Sequence, residues 1–111
     1  MITGVHTIIY STDAEADKAF FRDILKLPNI DVGHGWLIFR LPPAELAIHP
    51  ADAEAQEIYL MCEDINAFIQ EMAKHKIACS EIQDQRWGNL VELTLPGGGK
   101  IGVYEPKHER P

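Results

Sequence analysis

The sequence predicts an α+β domain of two βαβββ modules, whose curled mixed sheets surround a cleft. Three observations predict it. An alternating strand running into a helix start occurs twice, as Val5-His6-Thr7-Ile8-Ile9-Tyr10 before Thr12-Asp13 and as Glu57-Ile58-Tyr59-Leu60-Met61-Cys62 before Glu63-Asp64. Setting His6 on Glu57 sets Asp13 on Asp64 without a gap. Each half also closes on a strand that stops at proline, Leu46-Ala47-Ile48-His49-Pro50 and Gly102-Val103-Tyr104-Glu105-Pro106. A duplicated strand, helix and strand unit pairs its halves around a shared cleft. The repeat therefore puts a histidine and a glutamate at equivalent points of a candidate site.

The elements follow in order. Residues 5–10 are alternating and β-branched, which predicts a strand. Thr12-Asp13-Ala14-Glu15 has capping-box spacing, and Ala16, Ala19, Phe20, Ile24 and Leu27 recur at helical spacing, so a helix is expected over 13–27 until Pro28 ends it. A short strand at 30–32 and a Gly33-His34-Gly35 turn lead to a strand over 36–41, which Pro42-Pro43 stops. Residues 44–49 are the closing strand of the first module, 1–50, and 51–56 form an acidic, unpatterned linker. The second module, 57–106, opens with a strand at 57–62. Asp64 caps a helix over 64–75 whose apolar face is Ile65, Phe68, Ile69 and Met72. Strands are expected over 77–82, 88–95 and 100–105, with a loop or strand start at 84–87 and a turn at Pro96-Gly97-Gly98-Gly99. Residues 107–111 are a polar tail, expected to fray.

With 111 residues, 46% hydrophobic and 24% charged, the chain is sized for one domain with an ordinary core. No apolar run approaches the roughly 18–20 residues that cross a bilayer, and no signal-peptide pattern opens the sequence, so the cytoplasm is expected. The formal charge is −7, from 17 acidic and 10 basic residues, and the basic ones are scattered. Nucleic acid and an anionic membrane surface are excluded as partners, because both need clustered Lys and Arg. Cys62 and Cys79 have no metal or redox spacing and are expected to be free thiols.

Strand parity selects the side chains that face the cleft. Ile58, Leu60 and Cys62, Val91 and Leu93, Ile101 and Val103, and Leu37, Phe39 and Leu41 form the packing faces. That leaves His6, Ile8, Tyr10, Trp36, Ile38, Arg40, Glu57, Tyr59, Met61, Leu90, Glu92, Thr94, Gly102 and Tyr104 for the cleft, an apolar and aromatic set with a few charges, as small-molecule sites have.

The chain resembles the vicinal oxygen chelate superfamily, the glyoxalase, bleomycin-resistance and extradiol-dioxygenase group. The resemblance rests on His6 seven residues before Asp13, on Phe20-Phe21-Arg22-Asp23-Ile24-Leu25-Lys26-Leu27, on Trp87-Gly88, on Leu93-Thr94-Leu95-Pro96-Gly97-Gly98-Gly99-Lys100 and on Val103-Tyr104-Glu105-Pro106. It implies a homodimer and a cleft completed within one chain or across two. It also implies four metal positions, which fall on His6, Leu46, Glu57 and Gly102. Leu46 and Gly102 have no donor; Glu45, His49 and Glu92 are the available substitutes. No stoichiometric metal or other cofactor is expected, and a divalent ion, if held, rests on His6 and Glu57. Two functions are in view. One is a protein that sequesters an aromatic or amphiphilic small molecule, with Tyr10, Trp36, Arg40, Tyr59, Met61, Glu92 and Tyr104 as ligand-binding residues. The alternative is a glyoxalase- or dioxygenase-type enzyme, a lyase, isomerase or oxygenase, with His6 and Glu57 as its catalytic pair.

Overall fold

A computed structural model describes residues 6–47, 49–53 and 55–110. Val5 and Ile48, counted to strands above, Glu54 of the linker, Pro111 and residues 1–4 lie outside this set. The element order is α1 (Ala14–Ala19), a π-helical turn (Phe20–Ile24), β1 (Asn29–Asp31), β2 (Leu37–Phe39), β3 (Tyr59–Met61), α2 (Ile65–Lys74), β4 (Gln83–Gln85), β5 (Gly88–Thr94) and β6 (Lys100–Pro106).

The second half forms the whole βαβββ unit. Its sheet runs β3-β6-β5-β4, with β3 parallel to β6 and the other pairs antiparallel. The parallel pair needs a long crossover, which α2 and the β4-β5 hairpin supply. Asp64 accepts hydrogen bonds from the Asn66 and Ala67 amides at 3.0 and 3.1 Å, a cap worth about 1 kcal/mol. The helix closes with Lys76 at φ 58°, the left-handed end common to helices. Alternation delivers Val91 and Leu93 of β5, and Ile101 and Val103 of β6, to the buried face against Ile65 and Met72. Ile58, Leu60 and Cys62 pack on the same core.

The first half contributes the buried Phe20 to that core, with Phe21, Ile24 and Leu25 packed partly buried against it, and among the described residues it keeps only a hairpin of its own sheet. Phe20 is buried among the second-half residues; removing a side chain of that size from water contributes about 2–3 kcal/mol. β1 pairs antiparallel with β2, Ile30 opposite Ile38. The expected strand over 5–10 is not formed by its described residues, 6–10, nor the expected strand over 44–49 by 44–47 and 49. A strand must satisfy its amides and carbonyls against a neighbour. Among the described residues these two segments find none, and Pro42-Pro43 breaks the ladder between β2 and the closing segment. The consequence is uncovered apolar surface, with Tyr10 90% and Leu46 87% exposed.

Three further expectations are corrected. The first helix is not regular over 13–27: the Leu25 amide donates to the Phe20 carbonyl, five residues back, at 3.1 Å. Across the widened turn Phe20 enters the core, while Phe21 packs partly buried against it, edge-on to Phe20 at 5.2 Å and 5.9 Å from the Phe39 ring. The strand over 77–82 shrinks to a single bridge between Cys79 and Leu93, and the edge strand starts later, at Gln83. In the tail expected to fray, Lys107 and His108 are bonded to the β4-β5 hairpin and β6, and Arg110 to Glu45 and the Pro43 carbonyl.

The halves are also pinned away from the core. Asp17, only 6% exposed, accepts a 2.7 Å hydrogen bond from the Gly97 amide, and Thr12 donates to the Gly97 carbonyl at 3.2 Å. A Cβ at residue 97 would lie 2.6 Å from Ser11 Oγ and 2.8 Å from Asp17 Oδ2, so this position requires glycine. No helix among the described residues is long and apolar enough to cross a membrane.

Candidate functional site

Sheet register builds the site. On the face of the second-half sheet opposite α2, Gly102 lies between Tyr59 and Glu92, and Tyr104 between Met61 and Leu90. Four of the residues expected in the cleft, Tyr59, Met61, Glu92 and Tyr104, therefore share one surface. The glycine is the pivot of this surface. A Cβ on Gly102 would fall on the Tyr59 ring, so the ring lies directly over the β6 backbone. The position where the resemblance implies a metal ligand is covered by an aromatic side chain.

Trp87 joins these residues. Its ring meets Tyr104 at a centroid distance of 4.9 Å and Tyr59 at 5.9 Å, and Tyr59 meets Tyr104 at 6.0 Å. The interplanar angles are 84°, 67° and 89°, so the three rings form a corner of edge-to-face contacts, each worth about 0.5–1.5 kcal/mol beyond area. The corner stays accessible, with Tyr59 40% and Trp87 37% exposed. Counting by two along β5 puts Trp87 on the wrong face. It sits in the Arg86-Trp87 turn, where strand parity does not hold. The preceding glycine-less turn gives no signal of this; the aromatic next to Gly88 is the one clue.

Carboxylates stand at the rim. Glu57 accepts a 3.1 Å hydrogen bond from the Tyr59 hydroxyl. Burial, then the bond to Glu57 and its charge, push the Tyr59 phenol above its ordinary pKa. Burial and then Glu45 raise Tyr104, while Arg110 opposes them. Both phenols stay protonated at neutral pH and remain donors.

The other candidates are not gathered here. His6 is exposed, and no hydrogen bond or ion pair joins it to Glu57 among the described residues. Trp36 and Arg40 are exposed on and beside the β1-β2 hairpin. Tyr10 lines a separate cavity of about 410 Å³ between residues 9–12 and the glycine turn, with Asp17 in its wall. Leu46 and His49 are exposed, and Glu45 is engaged by Arg110 at 2.6 Å. Among the described residues no three His, Cys, Asp or Glu side chains cluster as a metal site would require.

No protein-family model matches the chain, and no curated protein does. Solved structures do. TnmS3, an antibiotic binding protein from Streptomyces sp. CB03234, superposes with a TM-score of 0.71 at 19% identity, over 96% of this chain and 98% of the other. A lactoylglutathione lyase from Agrobacterium tumefaciens gives 0.63 at 17% identity, over 95% of each chain. A member of the glyoxalase/bleomycin resistance protein/dioxygenase superfamily from Sphaerobacter thermophilus gives 0.62 at 19% identity, over 94% and 98%. The chain has the vicinal oxygen chelate fold of the glyoxalase and bleomycin-resistance proteins. That scaffold hosts binding proteins and enzymes alike, so function has to come from the site.

Proposed function

We propose that this protein binds and sequesters an aromatic or amphiphilic small molecule, preferring a cation, on the aromatic corner of its second module. The observation that carries the reading is the exposed Tyr59-Trp87-Tyr104 corner with Glu57 and Glu92 at its rim. Flat ring faces bind aromatic ligands, and they attract a desolvated cation by about 0.5–2 kcal/mol each. The formal charge of −7 adds a long-range bias in the same direction at low salt. The fold shared with an antibiotic binding protein supports it.

The working form is a cytoplasmic homodimer of one-domain chains, with modules 1–50 and 57–106 and the linker between them. Exposed Ile8, Tyr10, Ile30, Val32, Trp36 and Leu46 are apolar side chains that a second copy would cover. Light scattering at micromolar concentration is expected to give twice 12.5 kDa, and a monomer mass would refute the dimer.

Tetraphenylphosphonium and tetraphenylborate test the ligand class, since they match in size and differ in sign. In a Trp36→Phe variant, Trp87 fluorescence is expected to respond saturably to the cation at lower concentration than to the anion. Equal or stronger response to the anion would overturn the cation preference.

A further inference from the structure

We propose that residues 107–110 are a cationic strap that covers the Tyr104 side of the otherwise exposed aromatic corner in the free protein, so that a cationic ligand reaching Tyr104 and Glu45 binds by displacing it. The inference rests on the binding function proposed above.

The strap is held at each step. The Lys107 amide donates to the Trp87 carbonyl at 2.9 Å, and its ammonium donates to the Gln85 carbonyl at 3.0 Å and pairs with Asp84. The His108 ring tilts 41° over Tyr104 at 5.9 Å, with Nε2 3.0 Å from the Tyr104 hydroxyl. His108 Nδ1 lies 2.8 Å from the Glu109 carbonyl, which can only accept, so Nδ1 carries a proton. In the neutral ring Nε2 then accepts from the Tyr104 hydroxyl; in the charged ring it donates. Arg110 donates from Nε to Glu45 at 2.6 Å and from Nη2 to the Pro43 carbonyl at 3.3 Å. Glu45 also stands 3.9 Å from His108 Nε2. The charged and titratable groups around His108 are thus Tyr104, Glu45 and, sharing Glu45, Arg110.

Three basic side chains in four residues therefore take up an aromatic face and two carboxylates in an acidic protein. An aromatic cation would use the same partners, a ring against Tyr104 and a positive charge beside Glu45. The strap is an internal ligand. It is also detachable. Lys107, His108, Glu109 and Arg110 are all exposed, and exposed ion pairs are individually weak. A strap docked about nine-tenths of the time lowers the apparent affinity of a competitor about tenfold. It also selects by charge, because a ligand that fails to satisfy Glu45 cannot replace Arg110 on equal terms.

The test compares the full chain with its His108→Ala/Arg110→Ala variant. Tryptophan fluorescence gives the Kd for tetraphenylphosphonium and tetraphenylborate, and proton NMR follows contacts between the His108 and Tyr104 rings in the unsubstituted protein. The expected result is about tenfold tighter phosphonium binding by the variant, weaker borate binding, and loss of the ring contacts when phosphonium saturates the unsubstituted chain. Equal or weaker phosphonium binding by the variant, or ring contacts that persist at saturation, would overturn the strap while leaving the binding function standing. Absence of phosphonium binding by both chains would overturn the two together.

Discussion

Alanine at position 102 should destabilise the protein, although alanine ordinarily stabilises a strand relative to glycine. Tyr59 and Gly102 are direct partners across the β3-β6 ladder, and a Cβ at 102 occupies space taken by the Tyr59 ring. The ring has to leave, which breaks its contacts with Trp87 and Tyr104 at 5.9 and 6.0 Å. At roughly 0.5–1.5 kcal/mol each, about 2 kcal/mol is lost. Reduced backbone entropy of the unfolded chain returns about 0.5–1 kcal/mol. The net loss is about 1 kcal/mol, a fall of about 0.5 M in urea midpoint for an m-value near 2 kcal/mol/M. In a Tyr59→Ala background the obstacle is gone and only the favourable part remains, so Gly102→Ala should raise the midpoint. The double-mutant cycle should yield a coupling of about 2 kcal/mol. If Gly102→Ala shifts the midpoint alike in both backgrounds, the packing of Tyr59 on Gly102 is refuted.

Three other expectations follow from the same structure. Lys76→Gly relieves a left-handed backbone at the α2 terminus and should stabilise the fold by about 0.5–1 kcal/mol in chemical denaturation. Burial, and then the Glu105 charge, push the Cys62 thiol up to about 11, so alkylation by iodoacetamide should be slow at pH 8 and accelerate as pH approaches 11. Because the folded pKa is the higher one, the stability this thiol contributes is complete below about 9, its ordinary value, and is lost as pH rises from there through 11; a thiol that alkylates at pH 8 as fast as an unfolded one would contradict this. Finally, elemental analysis of untagged protein from metal-supplemented medium is expected to find no stoichiometric zinc, nickel, iron or manganese, since Leu46 lacks a donor and Tyr59 covers Gly102; one metal per chain, lost in His6→Ala, would move the enzyme reading ahead.

The second half was legible because its strands bury one face. Period-2 alternation separated Val91, Leu93, Ile101 and Val103 from Glu92, Gly102 and Tyr104, and register then brought Tyr59, Met61, Glu92 and Tyr104 together. Asp64 announced α2 at its cap. The first half shows the same alternation at 5–10, yet a pattern states which side chains would be buried, not whether a neighbouring strand is there to bury them. Trp87, legible with Gly88 in the resemblance, was not placed in the cleft because it sits in a turn, and the docking of His108 and Arg110 was missed because a polar tail carries no periodicity at all. Of the partners that hold the tail, Tyr104 is 4 residues from His108 but Glu45 is 65 from Arg110, a distance that no local rule spans.

The π-helical turn records a difference in length between the two halves. The first helical segment runs from its cap Asp13 to the left-handed Lys26, and α2 from its cap Asp64 to the left-handed Lys76. The first path is thirteen steps and the second twelve. Opening strands align at an offset of 51, helix ends at an offset of 50, and the surplus residue lies between them. A regular helix would carry that residue forward, turning every later side chain by about 100° and displacing Phe21 or the β1-β2 hairpin. The wide turn at Phe20–Ile24 absorbs it on the spot. The two helical segments thus differ by one residue that leaves both of their ends in place, and the difference is readable as one hydrogen bond from residue 25 to residue 20.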